Sequence, residues 1–188
     1  MAIFVTSDLH LGHNKDFIYG ARGFKSVEDM NEAIIRKWNE VVDEHDEVFV
    51  LGDLVMGPEE NLQMLLRLNG WLHIVRGNHD TDTRWCFYQR PPFMATVDNS
   101  LYFSYGGYKF YLSHYPTITT RADAGKPLKK CLINLCGHTH TKDPFEDWRT
   151  GMIYHCELDA HGCTPVRIDT IIEDLKRKVE LERNSYDT

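Results

Sequence analysis

The sequence predicts an α/β fold built in layers. Short apolar runs alternate with segments of helical periodicity along the chain, and no repeat, low-complexity stretch or linker interrupts them. With 188 residues, 42% of them hydrophobic and 26% charged, the chain has an ordinary globular composition and the length of one domain, residues 1 to 188.

The first apolar run, Ile3 to Ser7, reads as a buried strand. Ser26-Val-Glu-Asp29 then resembles a capping box with Asp in place of Glu, and Met30, Ile34, Trp38 and Val41 follow at helical spacing. Glu47 to Leu51 is the second strand. Pro58 suits a first helical position, with Leu62, Leu65 and Leu66 as an inner face and Gly70 as the stop. Trp71 to Val75 is the third strand. Leu101 to Tyr105 and Tyr108 to Ser113 flank Gly106-Gly107, the pattern of a hairpin with a two-residue turn. The segment from Tyr115 to Lys130 has no periodicity and carries Arg121, Lys126, Lys129 and Lys130, so it reads as a surface loop, either a solvated connection or a lid facing a substrate. Cys131 to Cys136, Ile153 to Leu158 and Val166 to Ile168 complete the strands. A last helix begins after Asp169 and turns its charged side to water.

Composition excludes several classes. The opening MAIFVTSDLHL has no basic region and meets Asp8 early, so it reads as a strand and not a signal peptide, and no run is long enough for a membrane span. The five cysteines are odd in number and form no C-x-x-C pair, which fits small core residues kept reduced in a cytoplasmic protein. A net charge of -7 disfavours tracking along a long nucleic acid and leaves small phosphate ligands open. Nothing in the chain signals an oligomeric state.

The chemistry lies where the apolar runs end. Asp8 and His10 follow the first, Gly52-Asp53 the second, and Gly77-Asn78-His79-Asp80 the third; His114 follows the run ending at Ser113, and Gly137-His138-Thr139-His140 the run ending at Cys136. In open α/β sheets, ligand sites form beyond the carboxyl ends of strands, so these residues should converge. His138 and His140, two apart in an extended chain, point to one side, and a metal ion is what holds two adjacent imidazoles neutral. Asp8, His10, Asp53, Asn78, His114, His138 and His140 supply more ligands than one transition-metal ion takes, and two ions sharing a carboxylate would use them all. Nitrogen and oxygen donors without thiolate favour Mn, Fe, Zn, Co or Ni over Ca or Mg. Two divalent ions leave a net positive site, suited to a phosphate ester.

This ordered set resembles the calcineurin-like metallophosphoesterase superfamily, and the ending DAHGCTPVRIDTI is similar to the last strand and helix of small single-domain bacterial and phage members. The resemblance implies a four-layer αββα sandwich of two mixed β-sheets flanked by helices, with a dinuclear metal site at the carboxyl ends of strands. It implies that Asp8, His10 and His140 hold one divalent transition-metal ion and Asn78, His114 and His138 the other, with Asp53 bridging and manganese the leading candidate. It further implies hydrolysis of phosphate mono- or diesters by a hydroxide bridging the ions, with His79 as general acid and Asp80 orienting its ring. The expected partner is a small phosphate ester, with a nucleotide as one candidate. The rival readings are a nuclease, for which Arg121 to Lys130 is the only basic track, and a non-catalytic metal-binding scaffold for protein partners.

The other histidines divide. His13 and His161 are candidates to border the site, His45 reads as solvated, and His73 and His155 read as structural. Arg22, Arg76 and Arg84 are candidate phosphate contacts whose leading reading is an ordinary surface role.

Overall fold

The computed structural model describes residues 1–90, 94–121 and 126–186. In chain order its strands are β1 (Ile3–Thr6), β2 (Glu47–Val50), β3 (Trp71–Val75), β4 (Met94–Asp98), β5 (Leu101–Tyr105), β6 (Tyr108–Leu112), β7 (Leu132–Cys136), β8 (Ile153–His155) and β9 (Val166–Arg167). The α-helices are α1 (Asp16–Tyr19), α2 (Val27–Val41), α3 (Asp82–Tyr88), α4 (Trp148–Gly151) and α5 (Ile168–Tyr186). One sheet has the order β4-β3-β2-β1-β9, parallel except for β9, and the other the order β5-β6-β7-β8, parallel except for the β5–β6 hairpin.

Strand alternation separates two cores. Phe4, Val48, Val50 and Ile74 face α2 and a 3₁₀ helix, Glu59–Arg67, where Met30, Ile34, Trp38, Leu62 and Leu65 meet them. Their sequence neighbours Val5, Phe49, Leu51 and Val75 point the other way, into a cluster with Phe110, Leu112, Ile133 and Leu135 of the second sheet and Ile171 and Leu175 of α5. Strands β1, β2 and β3 therefore bury residues on both faces, as their near-continuous apolar runs require. Two mixed sheets with flanking helices are the expected α/β architecture.

Local differences have local causes. Ser26 caps α2 as expected, its hydroxyl accepting from the Asp29 amide at 3.1 Å. Pro58 is the cap of its helix and not the first helical residue, because its ψ of 162° is extended, and the nine residues that follow wind as 3₁₀. The β5–β6 register pairs Tyr105 with Tyr108 across Gly106 and Gly107, both at positive φ, the expected two-residue turn. The strand expected over Ile153 to Leu158 stops at His155; Glu157 instead bridges Ser7, joining the two sheets where their ends meet. Strand β4 and helix α3 were not expected. Among the described residues, no helix is long and apolar enough to cross a membrane, and the five cysteines form no disulfide.

Candidate metal centre

The loops beyond the strands continue the ladders. The amides of Asp8 and His10 donate to the carbonyls of Gly52 and Asp53 at 3.1 and 3.0 Å, Gly137 donates to His114 at 3.0 Å, and Leu158 donates to Ser7 at 3.1 Å. Three strand ends of one sheet and two of the other are thereby laced into one floor. The approach is so close that a side chain at Gly77 would be driven into the Asp53 carboxylate, and one at Gly137 into Ser7 and Asp8. That is why these two glycines stand before the ligand-bearing turns.

On this floor two groups form. In the first, His10 Nε2 lies 3.1 Å from His140 Nε2, and Asp8 Oδ1 lies 3.6 and 3.7 Å from the two nitrogens. In the second, Asn78 Oδ1 lies 2.7 Å from His114 Nε2 and 2.9 Å from His138 Nδ1, and these nitrogens are 3.2 Å apart. Asp53 Oδ2 sits between the groups, 3.8 Å from His10 Nε2 and 3.7 Å from His114 Nε2. Donors at roughly 2.0–2.2 Å from a common ion are separated by about 3 to 3.5 Å, close to the spacings found. All seven expected ligands converge.

Hydrogen bonding points the same way. Asp8 Oδ2 accepts from the Ser7 hydroxyl at 2.6 Å and the His138 amide at 2.8 Å, whereas Asp8 Oδ1 is buried without a partner. A carboxylate oxygen stranded in this way is costly unless a cation meets it. His114 Nδ1 donates to the Leu51 carbonyl at 2.8 Å, which leaves the Nε2 lone pair facing the Asn78 oxygen, acceptor against acceptor. His140 Nδ1 likewise donates to Asp159 at 2.9 Å and turns its Nε2 lone pair inward. The residues present fit divalent ions held by nitrogen and oxygen.

The charges are tuned by neighbours. Burial alone would raise Asp8, but His10, His114 and His140 hold it at about 2. Burial raises Asp53 above the usual carboxylate value, against the pull of His114. His10 and His138 are lowered, chiefly by burial, so neutral rings are favoured. His140 is raised despite burial because Asp159 and Asp8 face it. The backbone is held as tightly: Asp8, His10, Asp53, His138 and His140 are five of the seven non-glycine residues at positive φ among the described residues. Such strain persists where surrounding structure over-determines it, typically at functional sites.

His79 and Asp80 separate. The His79 ring is exposed on the wall of a cavity of about 490 Å³ above the ligands and lies edge-on to His10 at 5.7 Å. Its backbone amide donates to Asp53 Oδ1 at 2.8 Å. Asp80 was expected behind that ring; its buried carboxylate instead accepts from the amides of Asp53 and Gly77 at 2.9 and 2.8 Å and from the Tyr88 hydroxyl at 2.9 Å. It fixes the turn that carries Asp53, Asn78 and His79.

Of the remaining candidates, His13 lines the cavity, its Nδ1 3.1 Å from His10 Nδ1. His161 does not; it stacks on Tyr154, bonds the His155 carbonyl at 2.9 Å, and borders a separate cavity of about 700 Å³ that holds none of the ligands. His155 is fully buried between Asp147 and Glu157, 3.0 Å from each. Arg22 is neither a phosphate contact nor a surface residue. Its side chain, 2% exposed, pairs with Asp159 and reaches the carbonyls of Asp8 and Leu9 at 2.7 and 2.9 Å. Lys126, Lys129 and Lys130 do not line the cavity, and Lys129 instead lies over the Tyr108 ring. From that loop Tyr115 reaches the site, packing edge-on against His114 and His138. Sequence reasoning missed Asp159, Ser7 and Tyr88; only the ending around Asp159 carried a signal, as part of the resemblance.

Two sheets flanked by helices, with Asp and His side chains grouped so that they could hold metal, have the layout of a metallophosphoesterase. The particular family follows from the sequence: residues 1–155 match the calcineurin-like phosphoesterase superfamily domain, and the chain belongs to that superfamily. It is 34% identical over 182 residues to the uncharacterized protein MJ1445 of Methanocaldococcus jannaschii, covering 93% of this chain and 92% of that one. It is 26% identical over 185 residues to the gene 66 protein of Mycobacterium phage L5, covering 84% and 86%. Among solved structures, AQ665 of Aquifex aeolicus, a protein of unknown function, shares the fold with a TM-score of 0.68 at 19% identity over 93% of this chain and 98% of that one.

Proposed function

We propose that this protein hydrolyses phosphate esters with two divalent transition-metal ions, manganese first among them. The observation that carries the reading is Asp53 Oδ2, set between His10 of one ligand group and His114 of the other, beside the stranded Asp8 Oδ1. Asp8, His10 and His140 would hold one ion, Asn78, His114 and His138 the second, and Asp53 both. Such ions, when bound, supply the charge that acidifies a water and neutralises phosphoryl oxygens.

The chain supplies the rest. His79, whose ring makes no hydrogen bond among the described residues and faces the cavity, protonates the departing oxygen. Asp80 and Tyr88 hold the turn on which His79 sits, and Ser7 and the His138 amide fix Asp8 so that one oxygen faces inward. The cavity suits a small ester, a nucleotide among the candidates, and the basic residues needed for a nuclease track do not line it.

The test is a panel of phosphate monoesters, diesters and nucleotides offered to metal-stripped and reconstituted protein. Turnover should vanish on chelation and return with Mn, Ni or Co. Full turnover after verified metal removal refutes the mechanism, and no turnover with any metal favours the scaffold.

A further inference from the structure

We propose that the substrate is nucleotide-like, an ester with a flat ring that seats against Phe17 and a second anionic group that meets Lys142. The assignment rests on the phosphoesterase reading and narrows it.

The cavity above the ligands, about 490 Å³, is far larger than a bare phosphate needs and falls among sites for organic ligands of roughly 300–1,000 Å³. Its floor is polar, but one wall is Phe17, Ile18, Ala21 and Met56. Phe17 lies on α1, a helix with no fully buried residue; its Ile18 and Tyr19 pack against the first core, and Phe17 does not. The ring is 69% exposed. It is anchored edge-on to His13 at 5.7 Å and 81°, and His13 in turn touches His10, so an open aromatic face stands beside the ligand shell. An apolar wall continuous with a phosphate site fits the organic part of an ester, and an exposed aromatic face fits a flat one.

The charge on the rim makes the second half of the argument. Arg22 is tied to Asp159, Arg76 to Asp82 and the Asp80 carbonyl, and Arg84 to the carbonyls of His79 and Gly57. Lys142, two residues past His140, lines the same cavity and makes no hydrogen bond or ion pair among the described residues. In a chain of net charge -7, an untied cation facing the cavity is matched to an anion arriving with the substrate. The phosphoryl group undergoing reaction is met by the ligand floor, so Lys142 serves a second charge.

Both side chains are exposed, so Phe17→Ala and Lys142→Gln should fold, which melting curves check. The kinetic probes are methyl p-nitrophenyl phosphate and the p-nitrophenyl ester of thymidine 5′-phosphate, which share a leaving group. Phe17→Ala should lower kcat/KM about tenfold for the thymidine ester and leave the methyl ester unchanged. The binding probes, measured calorimetrically on metal-loaded protein, are inorganic phosphate, AMP and ADP. Wild type should bind in the order ADP, AMP, phosphate. Phe17→Ala should erase the advantage of AMP over phosphate, and Lys142→Gln that of ADP over AMP. An unchanged ester preference in the first variant, or an unchanged ADP preference in the second, overturns the assignment. Absence of turnover in wild type with every metal would count against the phosphoesterase reading alone, and the binding order would still decide this one.

Discussion

Replacing Asp159 with Asn tests whether the network behind the ligands sets metal affinity. Asp159 Oδ2 accepts from His140 Nδ1 at 2.9 Å and Arg22 Nη2 at 2.8 Å, while Oδ1 accepts from Arg22 Nε at 3.0 Å. A carboxamide cannot satisfy both sides. With its oxygen toward His140 the amide hydrogens face Arg22 Nε, and with the reverse orientation they face His140 and Nη2, so one donor always opposes another. Loss of such an orienting partner costs roughly 10- to 100-fold in metal affinity, or about 1.4 to 2.8 kcal/mol. The variant also strands the Arg22 guanidinium, 2% exposed, and breaking a buried pair costs about 3 to 5 kcal/mol. That is a large part of a typical stability of roughly 5 to 15 kcal/mol but not all of it. Metal titration of Asp159→Asn well below its melting temperature should therefore show the ion at Asp8, His10 and His140 bound weakly, with the ion at Asn78, His114 and His138 little changed. Wild-type affinity in a verified folded variant, or equal losses at both positions, refutes the reasoning.

Other perturbations separate the remaining roles. Asp53→Ala should empty both positions, whereas Asn78→Ala should empty mainly one, and two ions per chain in Asp53→Ala by elemental analysis would refute bridging. His79→Ala should keep its metal and lose kcat by roughly 10² to 10⁴ for alkyl or nucleoside esters but far less for nitrophenyl esters, whose leaving group needs no proton; an equal loss across leaving groups would make His79 a positioning residue. Burial pulls His155 down, but Glu157 and Asp147 outweigh it and raise it above 6.5. Its folded value exceeds its unfolded one, so the stabilisation is complete below about pH 6.5 and fades as pH climbs through the raised value. Melting temperature should fall over that alkaline limb in wild type and flatten in His155→Gln; identical slopes would mean that the ring does not titrate with folding.

What the sequence disclosed followed the range of the interactions. Strands β1, β2, β3, β6 and β7 and the capped α2 were legible because apolar alternation and the Ser26 cap are written in neighbouring residues. The seven candidate ligands could be picked out because each stands at or just past the end of such a run. Strand β4 was not legible, since it follows two prolines and carries little alternation. Helix α3 depends on a Thr81 cap without a strong apolar stripe behind it. The Arg22–Asp159 pair spans 137 positions, and no local pattern marks it. The resemblance set Asp80 behind His79, but its partners are Tyr88 and the amides of Gly77 and Asp53, the last 27 positions away.

The left-handed backbone at five of the proposed ligand positions bears on how this chain can be changed. That conformation costs an L-residue about 1 to 2 kcal/mol, and glycine or asparagine adopts it more readily. Laboratory selection for heat resistance alone would therefore find relief at Asp8, His10, Asp53, His138 or His140, the positions where a replacement removes a proposed ligand. Libraries screened only for folding should drift toward sturdier, inert proteins, and thermostable variants that still bind metal should carry their changes in the two apolar cores or on the surface.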